Sequence, residues 1–351
     1  MLSSEGDGVR SFAGVIINLF APEASIVLLD EPEAFLHPPQ CRLLGRILAR
    51  EQERDVQLFV ATHSGDILRG LLDENTSRLR ILRLQRGNNT TEIRELNAER
   101  IREYWNDPLI RYSNILDGIF HEKVILCEGD SDNRFYAAIL DTLWSQNGKE
   151  LRRPDVMFAH CGGKSRLPMV VEALRKLGVP IAVVADFDIL NNAEPLKSLC
   201  DKLGAQWSEI EKHWRVVKTE IDKKKPSLDM EDLKKEILNI LNSISSPTLP
   251  SADRRKIENE LKRSSPWTEA KCIGRPYIPS GDATNHANQL FSILEKSGLY
   301  IVPVGEVEGW VKSIGNHGPL WVNNVLENVD LNKSEYDQAR DFVRKIVENK
   351  Q

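Results

Sequence analysis

The residues best suited to chemistry are acids placed at the ends of apolar runs. Lys123–Cys127 (KVILC) reads as a strand, and Glu128-Gly129-Asp130-Ser131-Asp132 follows at once. Glycine after the first acid lets the chain turn sharply into a helix, leaving Glu128 at the strand tip and Asp132 one helical turn away. A second run, Pro180–Ala185 (PIAVVA), ends at Asp186-Phe187-Asp188. In an extended backbone alternate side chains share a face. The two aspartates should then point together about 6–7 Å apart, with Phe187 facing the other way, into packing. Strand tips carrying Glu and Asp-x-Asp make a compact negative pocket, whose repulsion is severe unless cations enter it. Oxygen-only ligands favour Mg²⁺ or Mn²⁺ over zinc.

A third run, Ser25–Asp30 (SIVLLD), delivers Asp30 and Glu31 to the mouth of a parallel sheet, where ligands of such folds bind. There Asp30 would hold Mg²⁺ through water, and Glu31 would orient or activate the attacking water. Pro32-Glu33-Ala34-Phe35-Leu36-His37-Pro38 follows, then Ala61-Thr62-His63-Ser64. Upstream lies Leu2-Ser3-Ser4-Glu5-Gly6-Asp7-Gly8, a Ser/Gly turn leading into an apolar helix. In this order the segments resemble the signature, Walker B, D-loop and switch-histidine elements of ABC-type ATPases, above all the branch found in OLD-family proteins. The resemblance implies that Ser4 and Gly6 contact the γ-phosphate of ATP on a partner subunit, so that a homodimer forms through the ATPase module. It also implies that His63 reaches the γ-phosphate in its own subunit. The chain contains no GxxxxGK[ST] loop; Cys161-Gly162-Gly163-Lys164-Ser165 carries only the tail of one. ATP binding is expected only with a Walker A half supplied by an upstream segment or a separate polypeptide. Because the sequence opens on the signature turn, an upstream segment is the expected source.

ExG on one strand and DxD on another, joined by a Gly-Gly-Lys turn, resemble a TOPRIM domain, shared by topoisomerases, primases and OLD-family nucleases. Glu128–Asp132 together with Val183–Asp188 is most similar to the OLD and Gabija nuclease group. Val302–Trp310 (VPVGEVEGW) resembles the same group, in which a further acid follows the last strand. The resemblance implies that Glu128, Asp186 and Asp188 are metal ligands. Asp132 and either Glu306 or Glu308 would complete a second site. Two Mg²⁺ or Mn²⁺ ions ~4 Å apart would clamp a scissile phosphate, one activating water and the other stabilising the leaving 3′-oxygen. Lys164 is a candidate for contacting that phosphate or stabilising transition-state charge. Glu128, Lys164 and, in the ATPase segment, Glu31 are thus the candidate catalytic residues. Topoisomerases use a tyrosine nucleophile, and none of the six tyrosines here has a setting that singles it out. Metal-activated water is expected instead.

Two α/β layers must hold these groups. Residues 1–84 alternate helix and strand patterns: Ser25–Asp30, a helix over Gln40–Arg54, Val56–Thr62 and a weaker run at Arg78–Leu84. They predict the parallel layer of a partial ABC-type ATPase. Residues 85–120 are a polar connector in which Gly87-Asn88-Asn89 marks a hairpin or loop. Residues 121–327 form a TOPRIM α/β domain, with strands at Lys123–Cys127, Val156–His160, Pro180–Ala185 and Leu299–Val304. Helices are expected over Ser131–Ser145 and Arg166–Leu177, with a charged helical insertion at about 197–271. Residues 328–351 end in a charged helix, Lys333–Lys350.

The net charge is −5, which argues against a protein that coats DNA by bulk charge. Contacts with DNA must come from local basic clusters, for which Lys223, Lys224, Arg254 and Arg255 of the insertion are the weak candidates. Trp310 and Trp321 are expected to pack the end of the domain. The five cysteines are scattered without a CxxC pair, as buried free thiols in a reducing cytoplasm would be. No run reaches the ~18–20 apolar residues of a membrane span. The resemblance implies a metal-dependent DNA endonuclease or nickase, regulated by an ATPase module and acting in phage defence. The alternatives are another TOPRIM enzyme, primase- or topoisomerase-like, or a non-catalytic DNA-binding ATPase relative.

Overall fold

The computed structural model describes residues 6–19, 25–50, 56–74, 78–86, 90–96, 103, 105–146, 153–224, 230–263 and 265–349. The chain divides into two compact units, Met1–Glu122 with Ala173–Val179 and Lys123–Glu172 with Pro180–Gln351. Residues 85–120, expected as a connector, are grouped with the first unit.

The first unit runs through Asp7–Leu19 (α1), Ile26–Asp30 (β1), Pro38–Arg50 (α2), Gln57–Ala61 (β2) and Gly65–Asp73 (α3). β1 and β2 pair in parallel, Ile26 opposite Gln57 and Asp30 opposite Ala61, as the strand–helix–strand order requires. Glycine sets how closely α2 and α3 approach. A Cβ on Gly45 would lie 2.3 Å from the Ile67 carbonyl oxygen, and one on Gly70 2.2 Å from that of Arg42. The same contact buries Leu44, Leu48, Ile67 and Leu71. At its edge the Asp73 carboxylate gathers the guanidinium groups of Arg42, Arg46 and Arg111.

Ile81–Arg86 (β3) does not extend this parallel layer as its sequence suggested. It pairs antiparallel with Thr91–Leu96 (β4), Ile81 opposite Leu96, in a two-stranded sheet of its own. The two runs are separated by too few residues for the crossover a parallel pair needs. Arg83 is half-buried, and its guanidinium donates to the carbonyls of Ile119, His121 and Gly178 at 2.9, 3.0 and 2.6 Å. The turn expected at Gly87-Asn88-Asn89 lies outside the described residues. The unit continues with Pro108–Tyr112 (α4) and a 3₁₀ turn over Ile115–Phe120.

The second unit is built on Lys123–Cys127 (β5), Asp130–Gln146 (α5), Val156–His160 (β6), Leu167–Lys176 (α6) and Ile181–Ala185 (β7). The end of α6 is grouped with the first unit. Then come Ala193–Leu203 (α7), Trp207–Asp222 (α8), Met230–Asn242 (α9), Ser251–Arg263 (α10), Pro266–Ile273 (α11) and Asp282–Lys296 (α12). Leu299–Ile301 (β8), Gly318–Asn328 (α13) and Asp337–Glu348 (α14) complete it. The sheet has the order β6-β5-β7-β8, every pair parallel. Every residue of β5 and β7 is buried, as continuous apolar runs covered on both faces must be. On one face Ile125, Cys127, Ala182 and Val184 form a core with Phe135, Tyr136 and Ile139 of α5 and Trp321 and Val325 of α13. Trp310 belongs to this packing too, its indole donating to the Tyr136 hydroxyl at 3.2 Å.

The segment read as an insertion is helical, but it is not an appendage. Ile210, Val217 and Ile221 of α8 are fully buried, and the Trp214 indole donates to the Leu190 carbonyl at 2.8 Å. Only α9 and α10 lie largely open to solvent. Among the described residues no helix is long and apolar enough to cross a membrane. Four of the five cysteines are buried free thiols, and Cys272 is exposed.

Candidate metal centre

β5 ends at Cys127, so Glu128 is the first residue past the strand tip. The chain turns there through Gly129, whose amide donates to the Asp132 carboxylate at 2.8 Å and fixes the first turn of α5. Glu128 Oε1 in turn accepts the amide of Asp186 at 3.1 Å, which ties the tips of β5 and β7 together. Glu128, Asp186 and Asp188 each present a carboxylate oxygen within 4.8 Å of the others.

The Asp-x-Asp segment reaches this arrangement by a different route from the one expected. Only Asp186 is extended, with φ −62° and ψ 157°; Phe187–Asn191 is a 3₁₀ turn. The turn follows because the Phe187 amide donates to Gly305 at 2.7 Å instead of to a neighbouring strand. Asp188 therefore comes back toward Asp186 by winding, and Phe187 is buried against Phe291.

Two lysines enter this cluster. Lys164 opens the 3₁₀ turn after Gly162 and Gly163, whose positive φ values of 71° and 126° suit glycine, and its ammonium lies 2.6 Å from Asp188 Oδ2. Lys271 comes from α11, 2.8 Å from Asp186 Oδ2 and 3.7 Å from Glu306 Oε2. Lys271 was missed in the sequence because it stands in the charged helical segment, where nothing distinguishes it from solvated lysines.

Glu306 and Glu308 follow the last strand as the resemblance implied, and both are brought to the centre. Together with His317 they make a second group of possible ligand atoms within 4.8 Å of one another. The Gly318 amide, at the start of α13, donates to Glu308 Oε1 at 2.8 Å. His317 was not anticipated; its only signal is proximity to the acids, which spacing does not reveal.

The acids are held where their charges are costly. Burial, with repulsion from Asp186 and Asp188, pushes Glu128 up to about 8. Burial and repulsion from Asp186 lift Asp132 to about 7. Asp186 and Glu306 are also raised, chiefly by burial. Asp188 Oδ1 is buried and accepts no hydrogen bond among the described residues. Carboxylates that repel one another, in reach of one another and with a lone pair unused, fit hard divalent cations. Glu128, Asp186 and Asp188 would hold one such ion and Glu306, Glu308 and His317 form the second group; Asp132, expected to complete the second site, is in neither group.

In the first unit Asp30 ends β1 in an exposed position. Glu31 has φ 43°, its amide donates to Ala61 at 2.9 Å, and its carboxylate lies 3.3 Å from His63 Nδ1. Two of the residues expected around ATP are thus together. Gly6 is exposed at the start of α1, and Ser4 lies outside the described residues. Glu33 was not singled out, yet it is buried, accepts from the Thr62 hydroxyl and from the His63 amide at 3.3 Å, and leaves Oε2 without a partner among the described residues. It holds the loop that carries His63.

The basic candidates are mostly engaged within the protein. Lys223 pairs with Glu220 at 2.6 Å and Arg254 with Glu258 at 2.9 Å. Lys224 donates to the Tyr277 carbonyl and sits over its ring. Arg255 is exposed.

Comparisons with known proteins match two segments of the chain. Residues 2–69 match the family described as "AAA domain, putative AbiEii toxin, Type IV TA system". Residues 119–188 match the family described as "Overcoming lysogenization defect protein-like, TOPRIM domain". The chain is similar to the Old nuclease of Escherichia phage P2, 22% identical over 338 residues that cover 92% of this chain and 50% of the relative. It is also similar to the OLD nuclease of Thermus scotoductus, 25% identical over 199 residues, 52% of this chain and 35% of that one. The chain thus spans half or less of the curated relatives it matches. An AAA segment followed by an OLD-like TOPRIM segment, with Glu128, Asp186 and Asp188 gathered at the tips of two central strands, is what makes the chain similar to the OLD nucleases.

Proposed function

We propose that this chain carries the catalytic centre of a nuclease that hydrolyses phosphodiester bonds in DNA with Mg²⁺ or Mn²⁺ bound at two carboxylate groups. The observation that carries this reading is the convergence of Glu128, Asp186 and Asp188 within 4.8 Å at the tips of two central strands. Its support also includes the two relatives named as nucleases. Bound divalent ions supply Lewis acidity, a water ionised at neutral pH, and charge to meet the leaving oxygen. The chain's own residues do the positioning. Glu128 joins the two strand tips, and Asp132 braces the turn beneath it. Lys164, 2.6 Å from Asp188, is placed to hold a phosphate oxygen beside that acid and to balance the charge that grows on it.

In this reading the AAA segment is a regulator whose ATP site is completed by a Walker A half, and whose Ser4 and Gly6 face the nucleotide of a second subunit in a homodimer. The setting is cytoplasmic and the role is defence against phage. The test is supercoiled plasmid incubated with the chain and Mn²⁺ or Mg²⁺, beside Glu128→Ala and Asp186→Ala. Nicked or linear product that both substitutions abolish is the expected result. Cutting at the wild-type rate by either variant removes this centre from the chemistry.

A further inference from the structure

The segment between β7 and β8 does more than fill one face of the sheet: it sends a cation to the place where the two acidic groups meet. Lys271 stands near the end of α11 with its ammonium 2.8 Å from Asp186, in the first group, and 3.7 Å from Glu306, in the second. Its backbone is locked where it stands. Gly274 has φ 76°, and a Cβ there would lie 2.2 Å from the Pro303 carbonyl oxygen. Gly305 has φ 102°, and a Cβ there would lie 1.9 Å from the Lys271 carbonyl oxygen. The Arg275 amide also donates to Pro303 at 2.8 Å. Two glycines thus let α11 press directly on the loop that presents Glu306. Lysine 271 is held in the cluster by this backbone contact as well as by its charge.

We propose that Lys271 is a built-in counter-cation of the carboxylate centre, occupying the junction of its two groups so that divalent metal must compete with its ammonium to bind there. The proposal rests on the reading of this centre as a metal site. Fully ionised, Glu128, Asp132, Asp186, Asp188, Glu306 and Glu308 carry six negative charges, against two ammonium groups, Lys164 on Asp188 and Lys271 on Asp186 and Glu306. The remaining negative charge is what two divalent ions neutralise. With the Lys271 charge removed, the same acids attract a divalent ion more strongly, because opposite charges a few ångströms apart in a poorly hydrated site interact without much screening. Lys271 therefore sets the metal concentration at which the centre fills, and helps keep the acids together before it does.

The test is isothermal titration of Mn²⁺ into the chain and into Lys271→Met and Lys271→Arg. Lys271→Met is expected to bind Mn²⁺ tighter by on the order of tenfold, while Lys271→Arg, which keeps the charge, stays close to wild type. A residue that merely shaped the site would give the opposite sign, since loosening the acids weakens binding. Unchanged or weaker affinity in Lys271→Met, with uptake intact in the wild type, overturns the proposal alone. No Mn²⁺ uptake by any of the three proteins overturns the metal-centre reading and the proposal with it.

Discussion

The chain carries two clusters of acids after buried or half-buried strands, and they differ in how far water reaches them. Glu31 and His63 meet with 60% and 72% of their side chains exposed. Asp186 and Glu306 meet Lys271 with only 13% and 15% exposed. Water and salt screen the first pair. The second has no such screen and must find cations or protons. A strand followed by acids reads alike in both places, but burial leaves only one of them with charges that water does not screen.

That contrast is broken or sharpened first by activity. Asp188→Asn leaves the shape of the centre but removes a ligand charge, and metal-dependent nicking of plasmid should fall on the order of 10²–10³-fold, the scale of losing a group that stabilises charge in the transition state. Glu31→Gln, measured beside it without ATP, should nick within about threefold of wild type, as exposed surface changes usually do. Equal losses in the two variants would show that the two sites act as one.

The second effect is on stability in the metal-free protein. Glu128 at about 8 and Asp132 at about 7 both lie above the ordinary carboxylate range because they are buried. Between the unfolded and folded values the native chain binds more protons than the unfolded one, so its stability falls as pH rises. The window runs from about pH 4 to about pH 8. Thermal melting in a chelator should drop by several degrees across it, and saturating Mn²⁺ should remove most of the drop, since a ligand at 100 times its Kd adds about 2.7 kcal/mol. A metal-free melting temperature that climbs through this window would contradict the burial of these acids.

How much of this was legible in the sequence follows the same divide. Apolar runs were enough to find β1, β2, β5, β6 and β7, and the acids that follow β5 and β7 gave Glu128, Asp186 and Asp188, because a buried strand has a pattern that water cannot mimic. The local path was not legible. Asp186-Phe187-Asp188 looks extended, but the amide of Phe187 is taken by Gly305, a partner over a hundred residues away, and the chain winds. β3 looked like more of the parallel layer until its pairing with β4 was seen, since apolar alternation does not name a partner. Lys271, His317 and Glu33 had no signal of their own; each matters through what lies beside it in space.

Gly305 gives a smaller effect, and one that belongs to the second unit. Gly305→Ala puts a Cβ 1.9 Å from the Lys271 carbonyl oxygen at a φ of 102°, so backbone must move. A loss of about 1–3 kcal/mol is expected from overpacking and strain, read as a lower denaturation midpoint with the slope unchanged. The same shift should weaken Mn²⁺ uptake, because the loop that moves presents Glu306. Full stability in this variant would mean that α11 does not press on the loop.

The smallest effect belongs to the exposed site. His63→Ala removes an imidazole that lies 3.3 Å from Glu31 and 3.8 Å from Glu33, with 72% of its side chain in solvent. Exposed ion pairs contribute about 0–1 kcal/mol, and the loop itself is held by other bonds. Glu33 accepts the His63 amide and the Thr62 hydroxyl, and Ser64 caps α3; none of these needs the imidazole. Melting should therefore shift by no more than a degree or two, and metal-dependent nicking should be unchanged. Glu33→Ala is the matched contrast, since it withdraws the buried acceptor that those two donors share, and it should cost more than His63→Ala by about 1–3 kcal/mol. If the order were reversed, the imidazole would be holding the loop, and the exposed site would be a structural element.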